Sequence, residues 1–170
     1  MKRMVMAALL ALTVALGFGA SPASAATKID KNTIMIQESV GGEWDTALRQ
    51  AIRFVDPYTK TRMVIGSCRS YAKRCITVRY GTPGKKAWVG QCGPSCGTSR
   101  SVSTIVIRKS WEGSGPVAAK KRLLAHELAH AHGVKHNARF TSVMYGWVYR
   151  SWVLSPWKFT AAEKRTLKRA

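Results

Sequence analysis

The stretch His126-Glu127-Leu128-Ala129-His130-Ala131-His132-Gly133-Val134-Lys135-His136 holds all four histidines of the 170-residue chain. On a helix, His126 and His130 are separated by about 400° of rotation, so their side chains fall within about 40° of each other, one turn apart. Two imidazoles placed that way can reach one ion. Leu124, Leu128 and Ala131 take the other face and call for a packed surface beneath them. This window therefore fixes a helix, its buried side and the place where it has to stop.

The stop is Gly133. A glycine adopts positive φ without a Cβ clash, ends a helix and turns the chain back. His136, three residues on, is then free to supply a third nitrogen. Three protein ligands and an open fourth position suit a catalytic zinc, whereas a closed set of four is structural. Imidazoles without thiolates favour zinc, although cobalt, nickel and copper share the preference in part. Glu127 sits beside His126, offset from the ligand pair and placed to act on water rather than on the ion. His132 lies about 200° round the helix from His130 and faces away from the ion. A surface position, or one behind the ligands, is expected for it.

The spacing His126-Glu127-x-x-His130-x-x-Gly133-x-x-His136 is the signature of the metzincin zinc peptidases. Ser142-Val143-Met144-Tyr145 looks like the methionine turn of that family, with Met144 supporting the site and not binding the ion. The resemblance is specific over residues 126 to 145 and extends over most of the remaining chain only in the order of its elements. It is nearest to the compact secreted bacterial members and the matrixins. It implies a zincin-type twisted, mixed five-stranded sheet with an active-site helix and a C-terminal helix. It also implies His126, His130 and His136 as zinc ligands, Glu127 as general base, and a substrate-pairing edge strand at Lys86 to Gln91. By the same resemblance, Trp147, Tyr149 and Trp152 border the pocket for the side chain after the scissile bond; plain core packing accounts for them equally well. Three departures narrow the likeness. Snapalysins use aspartate as third ligand where this chain has His136. Gly146 stands where astacins and serralysins carry a metal-switching tyrosine. The scattered acidic residues give no aspartate-rich loop, so no calcium is expected.

Read from the residues alone, the rest of the chain gives an α+β fold, α/β-like in places. Strand-like runs lie at Thr33 to Gln37, Thr61 to Gly66, Cys75 to Tyr80, Lys86 to Gln91 and Ser103 to Arg108. Trp44, Leu48, Ala51 and Val55 make one apolar helix face between Glu43 and Val55, with Arg49 and Arg53 turned outward, and Asp56-Pro57 ends that helix. A second helix is expected from Val117 to His132. Thr160-Ala-Ala-Glu163 is a capping box that opens a last short helix.

Residues 1 to 25 read as a secretory leader: Lys2 and Arg3, an apolar run from Met4 to Gly19, then Ala23-Ser24-Ala25. A helix of about 16 residues rises only about 24 Å, short of a bilayer core of about 30 Å. The expectation is a secreted, monomeric chain with a catalytic domain over residues 26 to 170. Four cysteines in a secreted chain favour disulfides; three connectivities are possible, and Cys68–Cys75 with Cys92–Cys96 is favoured because each closes a short local loop. Four thiolates on a structural zinc are the alternative, but the spacing lacks the usual C-x2-C pairs.

The formal charge is +20, or +18 without Lys2 and Arg3. Such a field attracts polyanions such as anionic cell-envelope polymers without naming a partner. No zinc finger, helix-turn-helix or RNA-binding aromatic motif supports specific nucleic-acid recognition. Two functions follow. The first is a secreted zinc endopeptidase acting on protein or peptide. The alternative is a basic cell-envelope-binding protein with a structural or vestigial zinc site.

Overall fold

The structure, a computed structural model, describes residues 32–68, 74–82, 90–92, 102–113, 115–146 and 157–170. It is an α+β arrangement in the order β1 (Thr33–Glu38), α1 (Gly42–Val55), β2 (Arg62–Ile65), β3 (Cys75–Gly81), β4 (Gly90–Cys92), β5 (Val102–Arg108), α2 (Val117–Ala131) and α3 (Ala161–Leu167). The sheet runs β2-β1-β3-β5-β4. Its body is four parallel strands, from β2 through β5. The three-residue β4 adds to β5 in antiparallel register at the edge.

Of the expected edge strand at Lys86 to Gln91, Gly90 and Gln91 lie in the antiparallel edge strand β4, and residues 86–89 lie outside the described residues. The expected sheet is met in part: the described residues form five strands, but four of them are parallel and only β4 is antiparallel. Length alone cannot separate these cases, because β-branched runs between glycines look alike whether they pair along the chain or across a crossover. Crossover connections decide it. α1 links β1 to the neighbouring parallel β2, as parallel pairs require.

Burial follows from that topology. Ile34, Met35 and Ile36 on β1 are consecutive buried residues, the pattern of a strand covered on both faces. β5 alternates instead, with Ser103, Ile105 and Ile107 buried. On the other face of the same pair, Thr77 Oγ1 donates to its register partner Thr104 Oγ1 at 3.0 Å. The expected apolar face of α1 is the one buried: Trp44, Leu48, Ala51 and Val55 pack into one core with Leu124, Leu128, Ile36, Val78, Ile105 and Ile107. Arg49 and Arg53 are exposed. The chain continues past α1 into a 3-10 turn at Asp56–Tyr58, so Asp56-Pro57 tightens the helix before ending it.

Two cations of α2 break the simple pattern of apolar inside and polar outside. Lys120 and Arg122 are each 1% exposed. Lys120 pairs with Glu43 at the start of α1, its ammonium 5.6 Å from the centroid of the Trp44 ring. Trp44 in turn donates from Nε1 to the Glu112 carbonyl at 3.3 Å. These contacts tie α1, α2 and the loop before α2. Arg122 serves the candidate site described below.

Cys68 and Cys75 form a disulfide, Cα atoms 5.8 Å apart, joining the loop after β2 to the first residue of β3. The expected Cys92–Cys96 pair, the leader and Trp147, Tyr149 and Trp152 lie outside the described residues or side chains. Among the described residues no helix is long and apolar enough to cross a membrane.

Leu48 is fully buried on the core face of α1. Leu48→Ala is expected to cost about 2–5 kcal/mol through lost burial and the cavity left behind. Arg53→Ala on the exposed face is expected to stay within about 0.5 kcal/mol. Chemical denaturation of both variants checks the contrast, and equal losses would contradict the assigned orientation of α1.

Candidate metal centre

Helix α2 ends at Ala131, and His132 is its cap residue. Gly133 adopts φ 81°, left-handed backbone that a glycine takes without a Cβ clash and that ends the helix. The Gly133 N–H donates to the His130 carbonyl at 2.8 Å, and the Val134 N–H to the Ala129 carbonyl at 3.1 Å. This pair of bonds is a Schellman closure, with Val134 buried as its apolar plug. The chain then leads directly into His136.

Three ring nitrogens converge as a result. His126 Nε2 lies 3.0 Å from His136 Nε2 and 3.0 Å from His130 Nε2, and the last two are 2.9 Å apart. The His130 ring stands at 89° to that of His126 and 73° to that of His136, so the rings splay round a common point. His126 is 8% exposed, His130 is half-buried and His136 is exposed. The cluster therefore has a closed inner side and an open outer one.

The opposite ring nitrogens fix what the converging ones offer. His126 Nδ1 lies 2.8 Å from the Val143 carbonyl, and His130 Nδ1 lies 2.7 Å from the Val134 carbonyl. A carbonyl oxygen can only accept, so both Nδ1 atoms carry the proton and both Nε2 atoms present a bare lone pair. Two lone pairs at 3.0 Å cannot hydrogen-bond to each other, and they call for a cation between them. These three nitrogens would hold such an ion, and on the exposed side of His136 it would supply Lewis-acid chemistry to a bound group. His126, His130 and His136 can thus hold a metal ion.

Protonation does not compete for those lone pairs at neutral pH. Burial, reinforced by the neighbouring His130, pushes His126 from 6.5 down to about 3. Burial pushes His130 from 6.5 down to about 4. Burial also lowers His136. In each case the charged form is disfavoured because water is removed from around it.

The segment after His136 is a scaffold for the ligands. Met144 is completely buried; its N–H donates to Ser142 Oγ at 2.9 Å, and its carbonyl accepts from the Asn137 N–H at 3.0 Å. Arg122 lies one turn before His126 on α2 and donates from its guanidinium to the Ser142 carbonyl at 3.0 Å. Successive carbonyls of the turn, Ser142 and Val143, are therefore held by residues on successive turns of α2. The Arg122 guanidinium is lowered to about 10 by burial and stays charged at neutral pH. Glu127 is 4% exposed on α2, beside His126.

His132 does not join the cluster, but it is not on the surface either. It is 3% exposed, with Nδ1 2.8 Å from the Leu128 carbonyl and Nε2 3.3 Å from Thr61 Oγ1. It ties the end of α2 to the residue before β2. The rotation that takes it off the metal side carries it into the interior, which removes the surface position from the two expected for it.

The histidine spacing does not reveal Arg122, Val134, Val143 or Asn137. They act through main-chain atoms or as partners of main-chain atoms, which leave little mark on sequence. A comparison with known protein families and with curated proteins finds no match to this chain.

Two outcomes test this geometry. Above pH about 6.5 the site histidines are neutral in the folded and unfolded chains alike. Below it the unfolded chain binds protons that His126 and His130 refuse, so metal-free stability falls from about pH 6.5 towards pH 4. Thermal denaturation of chelator-treated protein should show a falling Tm across that window, and a flat profile would contradict it. Gly133→Ala forces a Cβ into left-handed backbone at a cost of about 1–2 kcal/mol. It should also weaken metal binding, because the turn carries both His136 and the Val134 carbonyl. Calorimetric titration with metal checks this, and wild-type affinity would oppose it.

Proposed function

We propose that this protein is a secreted zinc endopeptidase of the metzincin kind. The observation that carries the reading is the convergence of the His126, His130 and His136 Nε2 atoms, with Glu127 on the same helix next to a ligand. A purely structural site has no use for an acidic side chain at that position. Zinc is the ion that three neutral imidazoles and an open outer side suit best.

When bound, zinc lowers the pKa of water towards about 7 and polarises a carbonyl. The chain's own residues supply the rest. His126 and His130 keep their Nδ1 protons on main-chain carbonyls, which holds their lone pairs in place. Glu127 takes a proton from the attacking water and passes it to the leaving amine. Met144 and its turn form the floor behind the ligands. β4, at the antiparallel edge of the sheet, offers main-chain groups to an extended peptide. The excess of basic residues favours acidic substrates or an anionic surface near the enzyme.

Purified protein is expected to carry one zinc per chain and to cleave casein or gelatin in a chelator-sensitive way. Glu127→Gln should retain zinc and lose at least about 100-fold in cleavage rate. Cleavage by Glu127→Gln at the wild-type rate would sink the peptidase reading. Stoichiometric zinc with no cleavage of a broad peptide library would turn it towards the envelope-binding alternative that the charge favours.

A further inference from the structure

Glu163 lies in the first turn of α3, far along the chain from the histidines, and is 5% exposed. Its two carboxylate oxygens do different work. Oε2 accepts from the Thr160 N–H at 2.6 Å, while the Glu163 N–H donates to Thr160 Oγ1 at 3.3 Å; together these close the capping box. Oε1 leaves the helix altogether. It accepts from Ser142 Oγ at 2.7 Å and from Asn137 Nδ2.

The two donors at Oε1 belong to the metal centre's scaffold. Asn137 directly follows His136, and its Nδ2 also donates to Ser142 Oγ at 3.0 Å. Ser142 precedes Val143, whose carbonyl orients His126. Ser142 Oγ further accepts from the Met144 N–H at 2.9 Å. One buried carboxylate oxygen thus joins the residue after the third histidine to the turn that holds the first.

We propose that Glu163 is a positioning residue of the metal centre, setting the Asn137 and Ser142 segments at the separation that brings His136 and His126 to one ion. This rests on the reading of the three histidines as a metal site. Every group facing Glu163 is a donor: a main-chain N–H, a hydroxyl and an amide NH2. A carboxylate alone accepts on all sides. A glutamine of the same shape has one oxygen and one NH2, and it must turn N–H against N–H either at the Thr160 cap or at the Asn137–Ser142 pair.

The competing explanation is that Glu163 merely stabilises α3 as a helix cap. Thr160→Ala separates the two, because it removes the cap hydroxyl and leaves the Oε1 bonds in place. Zinc affinity is read by competition with a chromophoric chelator, and cobalt substitution gives an absorption spectrum sensitive to ligand geometry. Glu163→Gln and Ser142→Ala are each expected to weaken zinc by about 10–100-fold and to alter the cobalt spectrum. Thr160→Ala is expected to stay within about 2-fold of wild type while lowering thermal stability. The double variant Ser142→Ala/Glu163→Gln should be little worse than the weaker-binding single, as residues of one network are not additive.

Wild-type zinc affinity in Glu163→Gln overturns the proposal, and so does an equal loss in Thr160→Ala. If Glu163→Gln does not fold, Ser142→Ala and Asn137→Ala decide the matter, and wild-type affinity in both overturns it. Failure of the wild-type chain to bind zinc removes the metal-site reading itself and this proposal with it. Unaltered zinc binding in the variants, beside normal binding by wild type, removes only the positioning role.

Discussion

Two imidazole lone pairs held 3.0 Å apart in a partly dry pocket repel each other, and burial, which disfavours the charged imidazolium, keeps a shared proton from relieving them at neutral pH. The fold has to keep that arrangement in place against its own electrostatics until a cation offsets it. Many of the other unusual features of the chain serve this end. Gly133 takes a backbone conformation open to few other residues, and it returns both a histidine and a carbonyl to the end of the helix. Arg122 buries a guanidinium to grip the Ser142 carbonyl. The capping carboxylate of α3 spends one oxygen outside its own helix.

The cost of this local arrangement is met by an otherwise ordinary core. β1 is buried on both faces, α1 and α2 cover the sheet, and the apolar side chains of all three join in one cluster. α2 belongs to both systems. Leu124 and Leu128 anchor it in the core, while Arg122, His126 and His130 rise at four-residue intervals along another face. Because one rigid helix carries core and ligands together, the stability of the interior is transmitted to the geometry of the site.

Much of this was legible in the residues. The four-residue spacing of His126 and His130, the glycine after them and the third histidine fix the ligand set from local geometry alone, since a helix has only one period. The apolar face of α1 and the capping box of α3 were visible for the same reason. The sheet was harder. Parallel strands are brought together by crossovers, which a local run of β-branched residues does not announce. Lys120 and Arg122 were unreadable as interior residues, because a lysine or arginine carries no mark of the partner that will receive it: here Glu43 with the Trp44 ring, and the Ser142 carbonyl.

His132 shows the dividing line. Helical rotation alone takes it off the metal side, and that much the sequence determined. Whether the opposite side is water or protein depends on Thr61, 71 positions earlier, arriving against its ring. Glu163 shows the same line: its cap is a local pattern of four residues, but its second oxygen finds Ser142 and Asn137 only when α3 packs back on the turn. The sequence by itself determined which side chains could meet an ion, because spacing within one helix and one turn is local physics. Tertiary structure alone decided what holds them there, because main-chain carbonyls and distant donors have no identity in sequence until the chain brings them together.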